Sequence, residues 1–348
     1  MPILERMPLK ALNTFGIAAC AQRFVPLDSM AGLDEALDAL REAPPAFVLG
    51  GGSNVLFTGD PAGTVLRVGL RGLRVLESTG DEVLVEAAAG EAWDPFVQWT
   101  LAQGLSGLEN LALIPGSVGA SPIQNIGAYG VEIAERFDSL QAVSLADGSR
   151  HRFDTADCGF AYRDSVFKRA GQGIWLVLSV RYRLSRRWQP RLDYGDIRTE
   201  LREAGVDAPG PADVARAVSA IRRRRLPDPA RLGNAGSFFK NPLVPSPLAA
   251  QLREREPSLP VYPSAESAPD GTSLTKLSAA WLIEQCGWKG HRDGDAGVAP
   301  GHALVLVNHG EASGAQMLAL ARRIQASVQQ RFGVMLEAEP VIVGPARL

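Results

Sequence analysis

The sequence predicts an α+β protein built from many short strands in about two domains. Three observations lead there. Runs of β-type residues outnumber helical patterns, and they do not alternate with helices in the βαβ rhythm of a parallel sheet. Glycine- and proline-dense stretches recur between them, with 36 Gly and 24 Pro in the chain. The length of 348 residues, with 46% hydrophobic and 21% charged, supplies a sizeable core and excludes a disordered chain. A net charge of -2 gives no basic field for nucleic acid. Three cysteines far apart (Cys20, Cys158, Cys286) form no disulfide framework and suit a reducing compartment. The start, MPILERMPLK, has no apolar core of a secretory signal. No apolar run approaches the roughly 18 residues of a membrane span. A soluble, cytoplasmic protein is expected.

In chain order, Asn13-Thr14-Phe15-Gly16-Ile17 precedes a strand-like run at 22–26, and a helical pattern covers 30–41 before Pro44-Pro45. Phe47-Val48-Leu49 is a buried strand that enters Gly50-Gly51-Gly52-Ser53-Asn54 and then Val55-Leu56-Phe57. A dinucleotide fingerprint or P-loop needs strand, glycine loop, helix; a second β-type run follows here, so neither fits. The loop reads either as a nest of backbone N–H groups for a diphosphate or as a plain hairpin turn. Strands are predicted at 64–68, 73–77 and 82–88, then an amphipathic helix at 93–103 with Phe96, Val97, Trp99 and Thr100 near one side.

Residues 114–130, IPGSVGASPIQNIGAYG, are the stretch on which the rest depends. Gly116, Gly119, Gly127 and Gly130 with Pro115 and Pro122 forbid a long helix or regular strand, yet the isoleucines do not belong to a solvated linker. Small residues let a flat or charged ligand approach backbone amides. The stretch is a cofactor wall or a tightly packed buried turn. Beyond it, 140–145 and 150–153 flank Ala146-Asp147-Gly148 as a hairpin, and 174–184 is a long strand with Ile174, Leu176, Leu178, Val180, Tyr182 and Leu184 on one face. Residues 212–221 are helical and run into Arg222, Arg223, Arg224 and Arg225 before a Leu226-Pro227-Asp228-Pro229 break. Residues 257–270, rich in Pro and Ser, suggest a surface loop; 277–285 a helix; 303–308 a buried strand; 314–332 the clearest helix, striped by Met317, Ala321, Ile324, Val328 and Phe332; 334–337 and 341–343 closing strands.

Candidate chemistry is sparse. His151, His291, His302 and His309 show no metal-ligand spacing and no GxSxG elbow exists, so neither a metal site nor a hydrolytic triad is expected. Arg163, between Tyr162 and Asp164, could hold a carboxylate with its two-pronged donors, or pair with Asp164 at the surface. Ser237 follows Gly236 near Lys240 and Asn241, as an activated hydroxyl or a loop residue. Glu337 and Glu339 would share one strand face, bordering a pocket or in solvent. The arginines 222–225 could grip phosphates or complement a helix dipole.

The ordered motifs NTFGI (13–17), LGGGSNVLF (49–57), GLENLALIPGSVGASPIQNIGAYG (107–130), FAYRDSVFK (160–168), LPDPARLGNAGSFFKNP (226–242) and AAWLIEQCGWKG (279–290) resemble the UDP-N-acetylenolpyruvoylglucosamine reductase (UDP-N-acetylmuramate dehydrogenase) family of peptidoglycan precursor synthesis, and hence of cell-wall formation, shape and division. Leu192-Asp193-Tyr194-Gly195-Asp196 resembles the type I subgroup with a tyrosine-bearing substrate loop. The resemblance implies an FAD-binding fold of the p-cresol-methylhydroxylase/vanillyl-alcohol-oxidase (PCMH/VAO) type, with two α/β subdomains at 1–70 and 71–220, and a smaller α+β substrate domain at 221–348 whose last strand could pack back on the N-terminal region. It implies non-covalent FAD, NADPH as co-substrate, small-molecule partners only, and a monomer. An alternating scheme follows, in which NADPH delivers hydride and leaves before the enolpyruvyl ether enters.

By the same resemblance the catalytic roles fall on Arg163, Ser237 and Glu339. Cofactor contacts fall on Gly50, Gly51, Gly52, Ser53, Asn54, Ile114, Pro115, Gly116, Ser117, Gly119, Ala120, Gln124, Asn125, Gly127, Ala128 and Arg222. Substrate contacts fall on Tyr129, Tyr194, Arg225, Lys240, Asn241 and His302. Arg225 stands where the family pattern has lysine, His302 where it has glutamine, and Pro340 where it often has valine. The competing readings are an FAD oxidase of the same architecture and a non-catalytic flavin- or nucleotide-binding protein.

Overall fold

The computed structural model describes residues 3–169, 171 and 173–345; the outermost residues of the spans expected at 1–70 and 221–348 lie outside these. The chain forms two compact units, one of Met1–Met7, Cys20–Gly52 and Pro61–Arg224, the other of Pro8–Ala19, Ser53–Asp60 and Arg225–Leu348.

In the first unit, the apolar runs Cys20–Leu27 and Ala46–Leu49 lie parallel on either side of Thr64–Val68. The short, exposed strand Leu4–Pro8 is the outer edge, where proline removes a donor that a further neighbour would need. Helix Leu33–Glu42 buries Leu33, Ala36, Leu37 and Leu40, a 3–4 spacing that covers this sheet. A five-stranded antiparallel sheet follows, ordered Arg150–Asp154, Phe137–Ser144, Trp175–Ser185, Glu82–Ala88, Leu73–Thr79. Its centre, Trp175–Ser185, buries Leu176, Val180, Tyr182 and Leu184, whereas Ile174 precedes the strand and is exposed. Helix Trp93–Ala102 lays Trp93 and Phe96 on the Tyr182 ring at centroid distances of 5.9 and 5.2 Å. Such aromatic pairs add about 1 kcal/mol each beyond area burial.

In the second unit, Gly233–Ser237, Val305–Asn308, Ala296–Val298 and Arg292–Asp293 form an antiparallel sheet. Helix Gly314–Phe332 covers it with the Met317, Ala321, Ile324, Val328 and Phe332 stripe; a Ser313–Gln316 capping box starts the helix and left-handed Gly333 ends it. The last strand, Val341–Val343, pairs in parallel with Val55–Phe57.

Besides Ile174, two expectations fail. The Pro/Ser-rich stretch is not a loop: Val261–Ser267 pairs with Ser273–Leu277 around an Asp270-Gly271 turn. It is the outer strand of its sheet, where the missing donor of Pro263 is tolerated. Residues 334–337 are no strand, although Val334 and Leu336 are buried and Met335 and Glu337 exposed. Only an isolated bridge, Phe239 to Ala338, forms, since Pro242 and Pro340 each lack the N–H that would lengthen a ladder.

Candidate active site

The glycine loop after Leu49 is not a hairpin. Ala46–Leu49 pairs with Thr64–Val68, while Val55–Phe57 pairs with Val341–Val343. Within the first unit, a Cβ on Gly51 would lie 3.0 Å from the Cα of Gly116, and one on Gly50 would lie 2.7 Å from Ser117 Oγ. The two glycine-rich segments therefore touch backbone to backbone, as only glycine permits. The segment from Gly116 to Gly119 is fixed from below: Trp93 N–H donates to Gly116 O at 3.0 Å, Val118 N–H to Glu91 O at 2.8 Å, and Gly119 N–H to Ala89 O at 2.9 Å. Ser121 Oγ donates to Val118 O and meets the Tyr182 hydroxyl at 2.7 Å, anchoring the turn in the sheet beneath. Gly116, Ile114, Ala120, Gln124, Gly127 and Ala128 remain half-buried and Pro115 exposed, whereas Ser117, Gly119 and Asn125 are buried.

Non-glycine residues with left-handed backbone gather here. Leu113 (φ 59°), Asn125 (φ 43°), Tyr129 (φ 49°) and Arg163 (φ 54°) are four of the five among the described residues. Each costs about 1–2 kcal/mol, and strain of this kind marks binding and catalytic segments when surrounding bonds enforce it. Those bonds are identifiable. Asn125 Nδ2 donates to Glu132 Oε2 at 2.7 Å and to Ala161 O at 3.1 Å, and its Oδ1 accepts from Ala134 N–H. Asn125 thus ties the wall to the turn carrying Arg163 and faces inward itself. Arg163 donates to the Gly127 carbonyl and lies 5.3 Å from the Tyr162 ring centroid. Asp164, next along the turn, pairs with Arg169.

Arg222 Nε donates to Leu113 O at 3.2 Å. Burial lowers its guanidinium pKa; Tyr129 and Asp94 oppose the shift and nearby Arg163 adds to it. Two cations close enough to repel, beside a wall stripped of side chains, fit a flat group carrying phosphates. Tyr129 and Tyr194 meet edge to face at 6.3 Å, and Asn110 Nδ2 binds the carbonyls of Tyr129 and Arg191, joining the tyrosine-bearing loop to the wall. Asn110 is almost fully buried; its sequence signal is only a polar residue inside an apolar run.

The second unit presents the other group. Asn234 pairs with Val307 and Ser237 with Val305, so Gly233–Ser237 carries one residue more than its partner strand. Left-handed Gly236 (φ 69°) absorbs it as a β-bulge. Paired residues share a face, and Val305 and Val307 are two apart; Ser237 therefore lies on the same face as Asn234, where a regular strand would place it opposite. That face packs Leu226 and Leu232 against Val305 and Val307, bringing the segment after Arg225 to the Ser237 side of the sheet. Glu339 N–H donates to Phe238 O at 2.9 Å, so Glu339 sits beside the residue following Ser237, and Asn54 Nδ2 reaches Glu339 O at 3.3 Å; Ser53 and Asn54 form the turn before strand Val55–Phe57. Lys240 pairs with exposed Glu337, while Glu339 is half-buried. Asn241 Oδ1 accepts from Ala279 N–H at the start of helix Ala279–Gln285. His302 Nδ1 accepts from Leu304 N–H, which leaves Nε2 as donor, and burial with nearby Arg225 and Lys289 holds its pKa below the ordinary value. Among the described residues no His, Cys, Asp and Glu group could hold a metal, and no helix is long and apolar enough to cross a membrane.

Comparisons with known proteins match both halves of the chain. Residues 21–154 match an FAD binding domain family, and residues 228–343 match the C-terminal domain of UDP-N-acetylenolpyruvoylglucosamine reductase. The reductase of that name from Chromobacterium violaceum is 55% identical over 337 residues, 96% of this chain and 97% of the relative. That from Pseudomonas aeruginosa is 53% identical over 341 residues, 98% of each. The crystal structure of UDP-N-acetylenolpyruvylglucosamine reductase from Thermus caldophilus superposes with a TM-score of 0.65 at 26% identity, covering 99% of this chain and 100% of that one.

Proposed function

The chain belongs to the UDP-N-acetylenolpyruvoylglucosamine reductase family, and from that premise we propose that Arg163, Ser237 and Glu339 act together on the enolpyruvyl group of a UDP-sugar. The protein is an FAD-dependent oxidoreductase that uses NADPH to convert UDP-N-acetylglucosamine enolpyruvate to UDP-N-acetylmuramate for peptidoglycan. The chemistry that bound FAD supplies is relay of a hydride from NADPH to C3 of the enolpyruvyl ether. Gly50, Gly51, Gly52, Ser53, Asn54 and the 114–128 wall would hold that cofactor, with Arg222 toward its phosphates.

Arg163 grips the substrate carboxylate, fixed in aim by its bond to Gly127 O. As C3 gains hydride, negative charge develops at C2 and spreads into that carboxylate. Arg163 offsets it electrostatically, and Glu339 acts on the same enolate. Ser237 donates its hydroxyl proton to C2, yielding the lactyl ether, and regains one from water. Tyr129, Tyr194, Arg225, Lys240, Asn241 and His302 hold the sugar nucleotide; His302, kept neutral, serves as an Nε2–H donor. The carrying observation is the bulge that turns Ser237 onto the face it shares with Asn234, next to the backbone of Glu339. We further infer a monomer working in the cytoplasm, where UDP-sugars and NADPH are pooled, without nucleic acid.

The test is spectroscopic. The purified protein is yellow, bleaches with NADPH and recovers colour with the enolpyruvyl nucleotide. Ser237→Ala keeps the bleaching and slows recovery by about 10²–10⁴-fold; recovery at the wild-type rate would exclude the serine as proton donor.

A further inference from the structure

We propose that Asn234 is the positioning residue for the Ser237 hydroxyl, an inference that rests on Ser237 being the proton donor. Asn234 is 4% exposed. Its Oδ1 accepts from Gly236 N–H at 2.9 Å; its Nδ2 donates to Leu232 O at 2.8 Å and Pro227 O at 3.1 Å. Its own N–H reaches Thr14 O at 3.0 Å. A bulge leaves the N–H of the additional residue without a ladder partner, and this side chain supplies that partner. A buried amide serving only as filler would cost more than an apolar residue of its size. Here each polar atom answers a backbone group that the bulge or the turn after Arg225 leaves open.

The consequence is directional. The bulge decides the face on which Ser237 lies, and Asn234 holds the bulge. The same side chain clamps Pro227 and Leu232, so it also fixes the Arg225–Leu226 segment relative to the serine strand. Without it, a one-residue slip to regular register would carry the hydroxyl to the opposite face. Proton transfer breaks the Oγ–H bond of Ser237 and forms a C–H bond with the electron pair left at C2 by hydride addition to C3; the alkoxide recovers a proton from water. A displaced hydroxyl leaves C2 to be protonated from solvent on either face.

Asn234→Ala in the flavin-loaded protein tests this. Bleaching by NADPH stays within about twofold of wild type, while recovery with the enolpyruvyl nucleotide slows about 10²-fold, the effect of an ångström-scale misplacement. The product becomes a mixture of C2 epimers, and the amide of Gly236 exchanges faster in peptides spanning 233–239. Asn234→Asp, which retains an acceptor for Gly236, restores a single epimer whatever its melting temperature; a merely structural role would follow melting temperature instead. Should Asn234→Ala fail to fold, Gly236→Ala disturbs the same bulge through its φ of 69°, with open space around the new methyl, and gives the same mixed product. A single epimer at the wild-type recovery rate in the variant that folds overturns the inference. Ser237→Ala in parallel separates the failures. If it also recovers normally, the serine assignment is wrong; if it alone is slow, only the role of Asn234 is.

Discussion

Two glycine-rich segments of similar composition do opposite things. In the first unit, residues 114–130 form an irregular wall whose glycines bring backbone against backbone, and whose strained residues are enforced by Asn125, Asn110 and the turn over Tyr182. In the second, Gly233–Ser237 stays in a sheet, and one left-handed glycine changes which way a single serine faces. In the proposed function the first removes side chains so that a ligand can lie close, and the second rearranges a ladder so that one side chain acts. Glycine content alone does not distinguish these uses; the partner strand does.

If the serine strand and its neighbour Glu339 supply chemistry and the glycine-lined wall supplies cofactor binding, as proposed, variants in the two segments should separate. The largest effect is expected from Glu339→Gln, which slows colour recovery by more than about 10²-fold while substrate affinity changes within about tenfold, 1.4 kcal/mol. An affinity defect alone, in a titration of the oxidised protein, would erase the distinction. Next, Gly51→Val forces the loop away from the Gly116 backbone, already 3.0 Å from an added Cβ. Flavin dissociation constants should rise about tenfold or more, with the proton-transfer step of the remaining holoprotein unchanged.

A third contrast is in pH. The first unit's sheet holds Glu86 between Arg181 (2.7 Å) and Arg74. Burial alone would raise its pKa, but the bonds and charges of Arg181 and Arg74 outweigh it and bring the folded value below the ordinary 4.5. A lowered folded value means the stabilisation is complete above the ordinary one and is lost as pH falls through the folded one. The first unit should therefore weaken in acid below that ordinary value, whereas the bulge, held by a neutral amide, should not. Glu86→Gln removes about 2 kcal/mol at neutral pH and flattens the acid limb; hydrogen exchange resolved by segment reads both. The smallest effect, about 1 kcal/mol, is expected for Tyr182→Phe, which cuts the Ser121 link beneath the wall and should lower the melting temperature with flavin bound.

Much of the fold was legible because it is written in local periodicity. Runs of β-type residues marked Thr64–Val68, Glu82–Ala88 and Val341–Val343, and the stripe from Met317 to Phe332 marked the long helix. Val261–Ser267 was hidden because Pro263 reads as a breaker and only its outer place in the sheet makes it harmless. The bulge was hidden because Gly236 declares a turn-capable residue but not the strand it is out of step with. Asn110, Asn125 and Asn234 show the sharper limit: each binds a backbone carbonyl of another segment, that of Arg191, Ala161 and Pro227 respectively, which sequence spacing does not reveal. Arg163 and Ser237 stood out by residue type, but spacing could not show that Arg169 takes Asp164 or that an extra residue lies opposite Leu306.

The pairing of Val341–Val343 with Val55–Phe57 has a consequence for biogenesis. As the chain leaves the ribosome, the segments Pro8–Ala19 and Ser53–Asp60 belong to a unit whose strand Val341–Val343 is translated long after them. Val55–Phe57 therefore waits with an open edge until that strand emerges, exposed to the mispairing that such edges invite. Nascent chains stalled before residue 341 should show an unprotected amide at Leu56, and protection should arrive only once Val341–Val343 has emerged.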